Sequence, residues 1–65
     1  MSEHVYQLIE LTGTSPDSIE AAVNSAVQKA ARSTGGVRWV QVTEIRGNVI
    51  EDRIDHWQVS VKVGY

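Results

Sequence analysis

Asp55-His56-Trp57-Gln58-Val59-Ser60-Val61-Lys62-Val63 alternates between polar and apolar side chains from His56 onward. A strand turns successive side chains to opposite faces. Trp57, Val59, Val61 and Val63 therefore share one face, and His56, Gln58, Ser60 and Lys62 share the other. One apolar face and one polar face make a half-buried strand. Working back, Arg38–Arg46 (R-W-V-Q-V-T-E-I-R) reads as its partner. Val40 and Val42 share one face there, and Trp39, Gln41, Thr43 and Ile45 take the opposite one. Two turn candidates lie between the strands, Gly47-Asn48 and Glu51-Asp52. The second is preferred, with the hairpin arms running to Ile50 and Arg53.

The faces can be paired by parity. Val40 and Val42 meet the odd-numbered valines of the last strand only if paired positions sum to an odd number. A two-residue loop at either candidate turn satisfies this. Trp39 then lies on the face of Gln58 and away from the valines. An odd-length loop or a bulge would break the rule, because a one-residue slip moves every side chain to the other face.

Upstream, the pattern changes period. Ile19, Ala22, Val23, Ala26, Val27 and Ala30 form a helical stripe of small apolar residues. Ser15 is the expected N-cap, with Pro16 at the first helical position. Asp17 and Glu20 suit the positive end of the helix dipole, and Lys29 and Arg32 the negative end. Gly35-Gly36 is expected to end the helix by supplying a left-handed residue. Before it, Val5–Leu11 (V-Y-Q-L-I-E-L) reads as a strand with apolar residues on both faces, covered at least in part on both sides. Gly13-Thr14-Ser15-Pro16 reads as the break between strand and helix. The expected fold is α+β: a β-α-β-β subunit with a three-stranded antiparallel sheet wrapped around one helix, in a single domain over residues 1–65. One helix cannot cover both sheet faces. Water or other subunits must cover the one that holds Trp39, Ile45 and the polar groups.

Composition narrows the function. The 65 residues contain no cysteine and two histidines, His4 and His56. No disulfide can form, and a structural zinc site is not expected. A domain of this size without staples often gains stability by oligomerising. Net charge is −2, and no basic run marks a nucleic-acid binder. No apolar stretch is long enough to span a membrane, and Met1-Ser2-Glu3-His4 shows neither a cationic segment nor an apolar signal core, so a cytoplasmic protein is expected.

No nucleophile elbow surrounds any serine and no glycine-rich phosphate loop exists, so enzyme function is not expected. Ser60, Thr43 and the histidines lack the surroundings of a nucleophilic site. Glu44, Glu51, Asp52 and Asp55 read as a solvated hairpin tip. Trp39 is the sharpest feature. Its face can serve as a stacking platform for a planar ring, or it can join subunits in an oligomeric scaffold or interaction module. Gln58 on the same face offers amide donors and an acceptor. Arg46 can bind a phosphate or remain a solvated hairpin residue. Trp57 reads as core. His4 reads as terminal, and His56 as a surface residue that can also line the cavity of Gln58.

Taken in order, Ile9-Glu10-Leu11-Thr12-Gly13-Thr14-Ser15, Val37-Arg38-Trp39-Val40, Glu44-Ile45-Arg46-Gly47, His56-Trp57-Gln58-Val59 and Lys62-Val63-Gly64-Tyr65 span nearly the whole chain. In this order and spacing the sequence resembles the dodecins, small flavin-binding proteins, of the bacterial type. The resemblance implies a hollow homododecamer that binds flavins in pairs, stores or buffers them and quenches their photochemistry. It implies that Trp39 stacks on the isoalloxazine ring, that Gln58 binds the pyrimidine edge and that Arg46 helps hold FMN, with riboflavin and FAD as alternatives. Coenzyme A is a further ligand of some bacterial members. Val37 and Arg38 fall at the pocket edge beside the tryptophan. Relatives often have leucine and then an acidic or amide residue there, with phenylalanine where this chain has Val40. Arg38 thus puts a positive charge at that edge. Relatives also usually continue past Tyr65 with a short polar tail.

Overall fold

A computed structural model describes residues 5–65; His4 lies outside the described residues. The elements run β1 (Leu8–Ser15), α1 (Ile19–Thr34), β2 (Trp39–Ile50) and β3 (Arg53–Gly64). The three strands form one antiparallel sheet in the order β1-β3-β2. The expected β-α-β-β fold is the one observed. The alternating stretch that fixes the faces is the central strand.

β1 begins and ends later than its composition predicts. It pairs with β3 from Leu8↔Gly64 to Ser15↔Trp57. Reciprocal backbone bonds between Gln7 and Tyr65, 2.9 and 3.0 Å, extend the ladder by one step. Gly13 is therefore a strand residue and not a break. A Cβ at Gly13 would lie 1.9 Å from the Ala22 carbonyl oxygen. The missing side chain is what lets the helix lie directly on the strand.

The helix start is also displaced. Ser18, not Ser15, is the N-cap, and its Oγ accepts from the Ala21 N–H at 3.0 Å. The buried Ser15 Oγ accepts from the N–H groups of Asp17 and Ser18, at 3.0 and 3.4 Å. Pro16 lies in this turn and not at the first helical position. Two serines thus divide the work that a single cap was expected to do. Ser18→Ala should lower stability by about 1 kcal/mol, seen as a lower midpoint in urea. An unchanged midpoint would show that water satisfies those N–H groups equally well. At the other end the expectation holds: Gly35 has φ 83° and donates to the Ala31 carbonyl at 2.9 Å.

Ala22, Ala26 and Ala30 are fully or nearly fully buried against Val59, Val61 and Val63. Ile9, Leu11, Val23, Val37 and Trp57 pack around this cluster. The expected core role of Trp57 is borne out. The helix lies mainly over β1 and β3 and barely reaches β2. Val40 and Val42 do pair with Val63 and Val61, yet they stay 38% and 43% exposed. The expectation that both rows of valines lie under the helix therefore holds for β3 alone.

Glu51 and Asp52 have φ 53° and 63° and join Ile50 to Arg53. Positive φ at both central residues is the two-residue turn whose twist matches that of the strands. The preferred turn is thus the observed one, and Gly47-Asn48 lies inside β2. The hairpin extends far beyond the helix. The radius of gyration is 13.8 Å with extents of 56 × 19 × 14 Å, whereas a compact chain of this length would have a radius of about 11 Å.

Candidate functional site

The register of the hairpin decides which residues share a face. Trp39↔Gly64, Val40↔Val63, Gln41↔Lys62 and Val42↔Val61 follow the parity rule, and so do Val49↔Ile54 and Ile50↔Arg53 at the tip. Between them the register is shifted by one, from Glu44↔Ser60 to Asn48↔His56. Thr43 on β2 is the first extra residue, and Asp55 on β3 is the second. One bulge on each strand restores the register. The expected placement of Trp39 on the face of Gln58 holds, because Trp39 pairs with Gly64 and β3 has no extra residue between Gln58 and Gly64.

The shift corrects one expectation. Ile45 pairs with Val59, so it lies on the helix-side face and not with Trp39. By the same step Arg46, which a plain count would put with Val40 and Val42, pairs with Gln58 and joins the outer face. That face carries Trp39, Gln41, Glu44, Arg46 and Asn48 from β2. From β3 it carries His56, Gln58, Ser60 and Lys62.

The five residues expected at the site form two groups. At one end Trp39, 37% exposed, crosses Gly64, where a Cβ would lie 2.2 Å from the indole. Its ring meets Tyr6 edge-on, with centroids 6.2 Å apart and planes at 74°. Arg38 lies beside it and donates its backbone N–H to the Gly64 carbonyl at 2.8 Å. Val37 packs on the core and so fixes the chain that carries the indole. At the other end Arg46 stands directly across from Gln58. Gly64 lies six residue steps along β3 from Gln58, which at 3.3 Å per step is about 20 Å. Sharing a face does not bring Trp39 and Gln58 to one ligand within a single chain.

The second group contains contacts that the sequence did not single out. The Gln58 amide lies 3.2 Å from His56 Nε2, and His56 Nδ1 lies 3.0 Å from Asp55 Oδ2. The signal was available in the i, i+2 spacing of His56 and Gln58 on a strand. Arg46 is ion-paired with Glu44, and both side chains are largely exposed. Thr12 and Ser60 share a 3.0 Å hydroxyl bond in the middle of the face, and Thr43 Oγ1 donates to the Ser60 carbonyl at 3.1 Å. Tyr6 was likewise missed, although its even number puts it in phase with Leu8 and Glu10 on this side.

A separate cavity of about 300 Å³ opens at the outer edge of β1, lined by Leu11–Thr14, Ser25, Ala26, Lys29 and Arg32. None of the five expected residues lines it. Among the described residues, no three His, Asp or Glu side chains gather as a metal site would require. No helix among them is long and apolar enough to cross a membrane.

Comparison with known proteins gives consistent results. A family model described as Dodecin matches residues 5–65. A curated dodecin from Thermus thermophilus is 38% identical over 61 residues, covering 94% of this chain and 88% of that protein. The solved dodecin of Streptomyces coelicolor superposes with a TM-score of 0.90 at 40% identity, covering all of this chain and 93% of that one. The Streptomyces davaonensis dodecin gives a TM-score of 0.90 at 34% identity, covering 98% and 94%.

Proposed function

Since the chain belongs to the dodecin family of small flavin-binding proteins, we propose that it binds, stores and photochemically quenches FMN in a cytoplasmic homododecamer and performs no turnover of its own. The observation that carries this reading is the shared outer face of Trp39, Gln58 and Arg46, which Arg46 joins through the bulge at Thr43. Trp39 supplies a π surface. Gln58 supplies an amide that matches the edge of a heterocyclic imide. Arg46 supplies a planar cation for phosphate, and Arg38 adds a second cation beside the indole. Val37 holds the backbone of that corner. Riboflavin and FAD share the stacking ring and bind the same way, and coenzyme A is a further ligand.

The separation of about 20 Å along β3 is more than one tricyclic ring can span. A site that uses both ends therefore takes Trp39 from one copy and Gln58 from another. Self-association has a second support. Val40, Val42, Ile45, Val49 and Ile54 lie on the helix-side face at 38–61% exposure. A row of large apolar residues left open by its own helix favours burial between subunits. Within the assembly the indole donates an electron to the excited flavin on which it stacks, and so quenches it.

Titrating FMN with the protein should dim the flavin emission, while light scattering reads a mass near twelve chains. Undimmed emission at high protein concentration would reject the flavin reading. An oligomer that stays colourless after adding flavin would instead favour the scaffold, with the Trp39 face serving only to join subunits.

A further inference from the structure

We propose that His56, held in one tautomer by Asp55, sets which edge of the Gln58 amide faces the ligand. The proposal rests on the reading of Gln58 as a ligand-binding residue. An ionised Asp55 carboxylate can only accept hydrogen bonds. Its contact with His56 Nδ1 at 3.0 Å therefore requires a proton on Nδ1. In the neutral ring, Nε2 is then the lone-pair nitrogen. The Gln58 amide lies 3.2 Å from that nitrogen, so it must turn its NH2 group toward the ring. Gln58 Oε1 and the second amide N–H remain for the ligand. That acceptor–donor pair is the complement of an imide or lactam edge.

Adding a proton to Nε2 reverses the requirement. Both ring nitrogens then donate, and Gln58 must turn Oε1 toward His56. The ligand now meets the NH2 group alone, and the acceptor for its N–H is lost.

The surroundings leave few competing partners. His56 is 28% exposed. On β3 the neighbouring charge is Asp55. From β2, uncharged Asn48 stands opposite His56, and Arg46 stands opposite Gln58 with its guanidinium ion-paired to Glu44. From β1, uncharged Thr14 stands opposite Gln58. The helix packs on the other face of the sheet, and Glu51, Asp52 and Arg53 lie toward the tip beyond the Asp55 bulge. The charged groups near the pair are therefore Asp55 and the Arg46–Glu44 ion pair.

The test uses riboflavin, which carries no phosphate to titrate, and the full-length protein. As the pH is lowered from 8 until NMR shows the His56 ring doubly protonated, its affinity should fall about fivefold to tenfold, the effect of one neutral hydrogen bond. In His56→Phe the affinity should change less than about twofold over the same range. Asp55→Asn, which frees the tautomer, should weaken binding already at pH 8 and keeps the idea testable should His56→Phe fail to fold. Affinity that stays flat in the unsubstituted protein while the His56 ring titrates by NMR would overturn the inference and leave the flavin reading intact. No riboflavin binding at any pH would overturn the flavin reading. The Gln58 side-chain amide protons would then decide in the free protein: they should move with the His56 titration, and signals that stay still would overturn the inference on their own.

Discussion

Replacing Trp39 by alanine is expected to weaken flavin binding by roughly ten- to a hundredfold and to restore most of the flavin emission that the protein quenches. Stacking of a base on an aromatic side chain contributes about 1–3 kcal/mol by alanine substitution, and a tricyclic ring offers at least as much overlap. The substitution is a fair test because Trp39 is not part of the buried cluster. Its contacts include Tyr6 and the surface of Gly64. The variant should therefore keep its far-ultraviolet circular dichroism and its mass in solution. Trp39→Phe should fall between the two, since the smaller ring stacks less well and is a poorer electron donor. Affinity for FMN within twofold of the parent in a folded Trp39→Ala oligomer would mean that the flavin sits elsewhere.

Gly13→Ala should have the largest effect on stability. The added Cβ would lie 1.9 Å from the Ala22 carbonyl oxygen and 3.2 Å from the Ala26 Cβ. The first clash is with backbone, which cannot rotate away as a side chain would. The helix would have to lift off β1 over two turns and open the cluster in which Ala22 and Ala26 are buried. Overpacking of this kind costs about 3 kcal/mol or more, which for a chain this short lowers the melting temperature by on the order of 15 °C. Gly36→Ala is the matched control, because nothing lies within 4 Å of its Cβ position. Equal melting temperatures for the two variants would contradict the close helix–strand approach.

The sequence revealed most where the chemistry is periodic. The strict alternation from His56 to Val63 placed the polar and apolar faces of the central strand. The Ala-Val stripe placed the helix and the face it buries. Gly35 closed the helix as expected because only a left-handed residue was needed there. The errors fell where one residue serves two purposes. Gly13 reads as a break by composition, yet its role is to make room for the helix. Ser15 reads as a cap, yet its hydroxyl holds the turn that leads to the true cap, Ser18. β2 runs to Ile50 as the preferred turn at Glu51-Asp52 requires, although Gly47 and Asn48 also look like a turn. Ile45 was misplaced because no residue in the second strand advertises a bulge. Such an irregularity shows only once the partner strand is laid beside it. The candidate site was drawn from the sequence as a list of residues, through the likeness to dodecins. Its division into two ends of one face was not, because face parity carries no information about distance along the strand.

The paired bulges give the hairpin a kind of error-checking. Thr43 introduces a half-turn in the phase of one strand and Asp55 removes it from the other. The corner around Trp39 and the tip around Glu51 therefore keep the same handed relation to the core, while the stretch between them is read in the opposite phase. Forcing either bulge alone into regular pairing, with both residues kept, would leave the two ends of the ribbon inside out with respect to each other. Regularising both would still present Trp39 outward but turn Arg46 in toward the valines, whereas deleting Thr43 and Asp55 would leave Arg46 opposite Gln58. With Thr43 present, the arginine's place beside the glutamine is set by the bulge and not by its own position in the alternation.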